Sequence, residues 1–123
     1  MKPLKGIRII DLSTLLPGPF ATLILAEAGA EVIKIERPGG EDMRQAPPFI
    51  NSESVLFNLL NRGKKSVELD IKSKNGYEKI ITLIKSADVV VDQFRPGVMD
   101  RLNLSFKKLK QIKKDIIHCS ITG

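Results

Sequence analysis

"IRIIDLSTLLPGPFATLILAEAGAEVIKIE", residues 7 to 36, changes hydrophobic period and then changes back. "IRIIDL" (7 to 12) is a short apolar run of β-branched character. "EVIKIE" (31 to 36) alternates Val32, Lys34 and Glu36 against Ile33 and Ile35, the two-residue period of a strand. Between them "PFATLILAEAGA" is rich in the good helix formers Ala and Leu, with Phe20, Leu23, Ile24 and Ala28 on overlapping faces. Pro19 suits a first helical turn, where a missing N–H costs nothing, and Gly29 suits the left-handed position that ends a helix. The stretch reads as one strand-helix-strand unit.

The alternation recurs in kind along the chain. "KSVELDI" (65 to 71) reads as a strand, "NGYEKIITLIKSA" (75 to 87) as a helix and "DVVVDQF" (88 to 94) as a strand. A short helix from Gly97 to Leu102 and a lysine-rich one over 106 to 115 precede a last strand, "IIHCSIT" (116 to 122). This order predicts an α/β fold: a Rossmann-like parallel sheet with helices on both faces. No helix follows the last strand, so the sheet is expected to be incomplete at the C-terminus and the chain to be a fragment. Residues 37 to 53 lack any usable period and read as a long loop, followed by a short helix capped by Ser54 and stopped by Gly63. In such sheets ligands sit beyond the carboxyl ends of the strands, here after Leu12, Glu36, Asp70 and Phe94.

With 123 residues the chain suits one domain, and its 42% apolar and 28% charged content is ordinary for a globular protein. No apolar stretch approaches the roughly 20 residues that span a bilayer, and "MKPLKGIRIIDL" carries no cleavable leader pattern, so a cytoplasmic location is expected. A single Cys119 beside a single His118 falls far short of a zinc ligand set. The net charge of +6 favours an anionic partner: nucleic acid, an acidic surface or a phosphorylated small molecule. With no Trp and one Tyr, stacking platforms for nucleic acid are scarce, and the lysines of 106 to 115 read as a solvated helix face, leaving nucleic acid as the lesser alternative.

Hydrolase, P-loop and zincin signatures are all absent. His118 and Cys119 are strand neighbours that point to opposite faces, so they cannot pair and read as core residues. Asp88 and Asp92 share a face across "VVV" and read as strand-end, solvent carboxylates. A dinucleotide site would want G-x-G-x-x-G and an acidic residue closing the second strand. Glu36 is in place, but "TLLPGPFA" supplies Gly18 alone, and Pro17 and Pro19 remove backbone donors that a pyrophosphate would use. What remains is a set of residues near strand ends: Arg37, Lys72, Gln93, Arg95 and Arg101. They either converge on phosphate groups or solubilise separate loops.

Four stretches resemble, in order and without a gap, the N-terminal part of the family III coenzyme A transferases. They are "PLKGIRIIDLSTLLPGPFATLILAEAGAEVIKIERPGGEDMR", "NRGKKSVELDIKS", "ADVVVDQFRPGVMDRLNLS" and "IIHCSITG". That family includes formyl-CoA transferase, carnitine CoA-transferase and alpha-methylacyl-CoA racemase. The resemblance implies that residues 1–123 are the N-terminal CoA-binding part of the large domain. It also implies that Arg37 lies near the nucleotide end of CoA, that Leu69 and Lys72, Gln93 and Phe94, and Arg101 contact CoA, and that Leu16 and Pro17 lie along the pantetheine or thioester end. Two features depart from the pattern. Leu16 and Pro17 stand where formyl-CoA transferase carries Gln-Ala, as in racemases and several carnitine-type members, and Gln93 stands where most members have Asn.

By the same resemblance the parent enzyme moves CoA between carboxylic acids through an aspartyl intermediate. The alternatives are a racemase, in which a His and an Asp exchange the proton alpha to the thioester, and an inactive CoA-binding fragment. Those catalytic groups lie beyond "SITG", so no catalytic residue is expected within the chain. The expected ligand is coenzyme A or acyl-CoA as substrate, with no permanent cofactor and no metal. The expected partners are a carboxylic acid acceptor and a second chain in an interlocked homodimer, with neither nucleic acid nor membrane.

Overall fold

The computed structural model describes residues 2–122. Its first unit is β1 (Arg8–Asp11), α1 (Pro17–Glu27) and β2 (Glu31–Glu36). α1 opens on a proline and gives way to Gly29 at φ 106°, a conformation that only glycine adopts freely. The segment read as a long loop is partly ordered: a 3₁₀ turn at Asp42–Gln45 leads to a small antiparallel hairpin, β3 (Phe49–Ile50) with β4 (Glu53–Ser54). Its two-residue turn, Asn51 and Ser52, has both φ values positive, the geometry that joins tight hairpins.

α2 (Val55–Asn61) begins at Ser54, whose Oγ accepts from Phe57 N at 3.2 Å. Then follow β5 (Lys65–Glu68), α3 (Lys74–Lys85), β6 (Val89–Asp92), α4 (Val98–Arg101), α5 (Phe106–Ile112) and β7 (Ile117–Ser120). The strands form one parallel sheet in the order β5-β2-β1-β6-β7. β5 and β6 are shorter than their apolar runs. Asp70 Oδ1 accepts from Lys72 N at 3.1 Å and Asp92 Oδ1 from Phe94 N at 3.1 Å, and these local turns compete with the ladder.

Helices cover both faces of the sheet. On one, Ile10, Ile33, Ile35 and Val90 pack against Ile80 and Ile84 of α3 and Leu109 of α5; on the other, Ile9, Val32 and Val91 meet Leu25 and Ala26 of α1. Strand alternation carries the α1 face on to Asp11, Lys34 and Glu36, all buried. That face is therefore apolar at the amino ends of the strands and charged at the carboxyl ends. Phe20 and Ile24 of α1 remain exposed.

Two strand readings need correction. β7 is an edge strand, so Cys119 is exposed and His118 half-buried, and neither is a core residue. Asp92 is no solvent carboxylate: it is buried, with Oδ2 2.5 Å from His118 Nε2 and 2.6 Å from Ser120 Oγ. Gly123 lies outside the described residues. Among the described residues no helix is long and apolar enough to cross a membrane.

Ile80 is fully buried where α3 meets the sheet. Ile80→Ala should lower unfolding stability by about 2–5 kcal/mol, read in urea as a lower midpoint at unchanged slope.

Candidate functional site

From β1 the chain runs to β2 and β5 on one side, then crosses to β6 on the other. A parallel sheet has its crevice where the order reverses in this way, beyond the carboxyl ends. There lies a recess of about 420 Å³ with an apolar lining of Leu12, Ile35, Ile71, Phe94, Val98 and Leu102. Its charged lining is Glu36, Glu41, Asp42 and Asp70 against Arg37 and Lys72. A second, shallower recess shares Ile71, Lys72 and Leu102 and adds Lys74, Tyr77 and Arg101, with no carboxylate. A ligand bridging both would meet a mostly apolar pocket first and a cationic one beside it.

Of the residues that the sequence pointed to, Arg37, Lys72 and Phe94 line the first recess, and Lys72 and Arg101 the second. Arg37 also pairs with Asp42 at the rim. The Leu69 side chain is buried in the core, and its amide donates to Glu36 O at 2.8 Å. Leu16 ends the turn before α1 and Pro17 opens that helix, both exposed, and Arg95 is exposed; none of these three lines either recess. Glu41 and Asp42 were missed because they fall in a segment without periodicity. Thr14, Ile71 and Val98 had only their nearness to strand tips as a signal.

Gln93 has a different task from reaching into a recess. Its Oε1 accepts from Gly18 N at 2.8 Å. The one amide of the Pro-Gly-Pro turn that a pyrophosphate could have used is thus occupied, which is the physical reason why a dinucleotide does not fit here. A Cβ on Gly18 would overlap Ser13 Cβ and crowd Gln93 Oε1, so the glycine serves close packing. Gly18→Ala should therefore destabilise the chain by about 1–3 kcal/mol, checked by thermal melting.

Buried charges hold the rest of this turn. Asp11 accepts from Ser13 N at 2.8 Å, from Ser13 Oγ and from Thr22 Oγ1 at 2.5 Å. Lys34 Nζ donates to Ser13 O at 3.0 Å and lies 3.2 Å from Glu41 Oε2. Lys64 Nζ donates to Pro19 O at 2.9 Å and Asn61 Oδ1 at 2.8 Å, with Asp11 Oδ2 at 3.5 Å. Two lysines thus face two carboxylates, and the cluster is neutral.

Beside it, Arg44 grips Glu36 with two hydrogen bonds of 2.7 Å and lies over the Phe57 ring at 3.9 Å. Burial alone would raise the Glu36 pKa, but the bonds from Arg44, Ser66 and Glu41 N outweigh it and hold the group at about 2. For Lys64, burial is the largest effect and Lys34 adds to it; against the pull of Asp11 they lower its pKa to about 8.

These shifts make stability depend on pH in two windows. Between about 2 and the ordinary 4.5 the unfolded chain binds the Glu36 proton that the folded chain has shed, so stability is lost as pH falls through that range. Between about 8 and the ordinary 10.5 the unfolded chain keeps the Lys64 proton that the folded chain releases, so this group makes stability rise with pH. Urea unfolding across both windows should show the acid slope flattened by Glu36→Gln and the alkaline rise flattened by Lys64→Met.

A sequence model of CoA-transferase family III matches residues 4–123. Succinyl-CoA:glutarate CoA-transferase of Mus musculus is 47% identical over 125 residues, covering 100% of this chain and 29% of the relative. Acetyl-CoA:oxalate CoA-transferase of Acetobacter aceti is 41% identical, over 98% of this chain and 31% of the relative. Among solved structures, a CAIB/BAIF family protein from Brucella suis superposes with a TM-score of 0.93 at 36% identity, over 99% of this chain and 34% of its own. Rv3272 from Mycobacterium tuberculosis gives 0.92 at 39% identity, over 100% and 34%. The chain thus spans roughly a third or less of the proteins that it matches.

Proposed function

The chain belongs to CoA-transferase family III, and we propose that it supplies the coenzyme A-binding portion of an enzyme that moves CoA from an acyl-CoA to a carboxylic acid. The observation that carries this reading is the pair of adjoining recesses. In this reading the nucleoside occupies the deeper one, where the apolar lining and the acidic acceptors suit a neutral group bearing N–H and O–H donors, with Arg37 at its rim. The phosphates extend to Lys72 and Arg101, where no carboxylate repels them. Pantetheine then runs toward Leu16 and Pro17, where the chain passes from β1 into α1. The names of both relatives pair a thioester with a short dicarboxylate, and we extend that acceptor class to this protein.

Transfer in this scheme needs a carboxylate that attacks the thioester carbonyl and expels the CoA thiolate, leaving a mixed anhydride; the thiolate then attacks the enzyme's carbonyl and releases the donor acid, and the acceptor carboxylate takes CoA from the resulting enzyme thioester by the same steps in reverse. The buried carboxylates beside the turn and the recess are already committed: Asp11 to Thr22 and Lys64, Glu36 to Arg44, Glu41 to Lys34. None of these three is therefore assigned the attack, which the family resemblance gives to an aspartate. The exposed apolar stripe of Leu16, Phe20 and Ile24, four residues apart along α1, suits a surface covered in a homodimer.

A coenzyme A titration followed by backbone amide NMR tests the reading. Shifts should concentrate at Arg37, Lys72 and Arg101, and Arg101→Ala should weaken binding about tenfold, or about 1.4 kcal/mol. Unchanged affinity in Arg101→Ala together with shifts elsewhere would sink it.

A further inference from the structure

Glu41 is buried, 3% exposed, within a stretch from Arg37 to Ile50 whose other residues are exposed or half-exposed. A carboxylate is a costly choice for an anchor that could have been apolar. Its Oε2 accepts from Leu15 N at 3.2 Å and faces Lys34 Nζ at 3.2 Å, while its Oε1 has no partner. Leu15 in turn holds φ 64°, a left-handed conformation that a leucine side chain disfavours by about 1–2 kcal/mol. The strained residue and the half-satisfied carboxylate are bonded to each other. Lys34 closes the link by donating to Ser13 O at 3.0 Å.

We propose that Glu41 is a positioning residue: its Oε2 holds Leu15 in the left-handed conformation that sends the chain into α1, and so fixes where Leu16 and Pro17 stand. Glu41 lies next to Asp42, the partner of Arg37 at the rim of the recess. The same side chain therefore ties the rim to the turn. Apolar packing could fill the space under the turn but offers no acceptor to Leu15 N, which explains why a charge is kept there. With the acceptor removed, Leu15 relaxes to negative φ and swings Leu16 and Pro17 away. The consequence for ligand binding rests on the CoA-binding reading above; the conformational role does not.

Two variants of the full chain test this by NMR. Glu41→Leu combined with Lys34→Met removes the acceptor without leaving an unpaired buried charge, and Glu41→Gln keeps an amide oxygen where Oε2 stands. Before any ligand is added, the HN–Hα coupling and Cβ shift of Leu15 report its φ. They should leave the left-handed range in the double variant and stay in it in Glu41→Gln. Addition of coenzyme A should then shift Leu15 and Leu16 in the unsubstituted chain and in Glu41→Gln but not in the double variant, with Lys72 and Arg101 responding in all three. A left-handed Leu15 in the double variant, or identical behaviour of the two variants, overturns the proposal. If coenzyme A shifts nothing in the unsubstituted chain, the CoA-binding reading fails and the ligand-free coupling still decides the role of Glu41.

Discussion

Everything at the carboxyl edge of this sheet depends on the buried pairing of two lysines with two carboxylates under the first turn. Asp11 and Lys34 are register partners on β1 and β2, and Lys64 and Glu41 reach the same spot from outside the sheet. Charges this deep are tolerable only when each is paired and hydrogen-bonded; removing one partner of such a pair costs about 3–5 kcal/mol. Their spare donors and acceptors go to the backbone of Ser13, Leu15 and Pro19. The turn from β1 into α1 is thereby held by side chains where few of its own amides are free to do so.

That arrangement explains the division of labour around the strand tips. Glycine-rich turns bind phosphate with their own amides, but here Gly18 N is taken by Gln93 and no proline can donate. Cationic side chains without a carboxylate among them lie further out instead, Lys72 and Arg101 in the second recess. The deeper recess carries more acid than base and is lined chiefly by aliphatic groups, so it suits the uncharged part of a ligand. In the proposed reading the local balance of charge, not the net +6, sorts the two ends of the ligand.

Much of the fold was legible because hydrophobic period is a local property. "EVIKIE" is a strand along its whole length, Ser54 caps its helix, and Gly29 ends α1. What failed to read did so for identifiable reasons. The hairpin at Phe49 to Ser54 has strands too short for any period to show. Cys119 and His118 look like core in an apolar run, yet β7 is an edge, and edge status depends on strand order. Arg37, Lys72, Phe94 and Arg101, pointed to through strand tips and resemblance, line the two recesses. Leu69 and Gln93, pointed to in the same way, proved to be turned to the core and to Gly18.

The sequence by itself determined the α/β class, the strand tips where a ligand can sit and, through four motifs, the family, since all three rest on short-range order along the chain. Only the tertiary structure decided which charges are buried together. Asp11, Lys34, Glu41 and Lys64 are up to 53 residues apart, and nothing local distinguishes them from the other carboxylates and lysines of a charged surface. Their meeting depends on the register of β1 with β2 and on the path of the segment after β2, and both are set by the packing of the whole sheet.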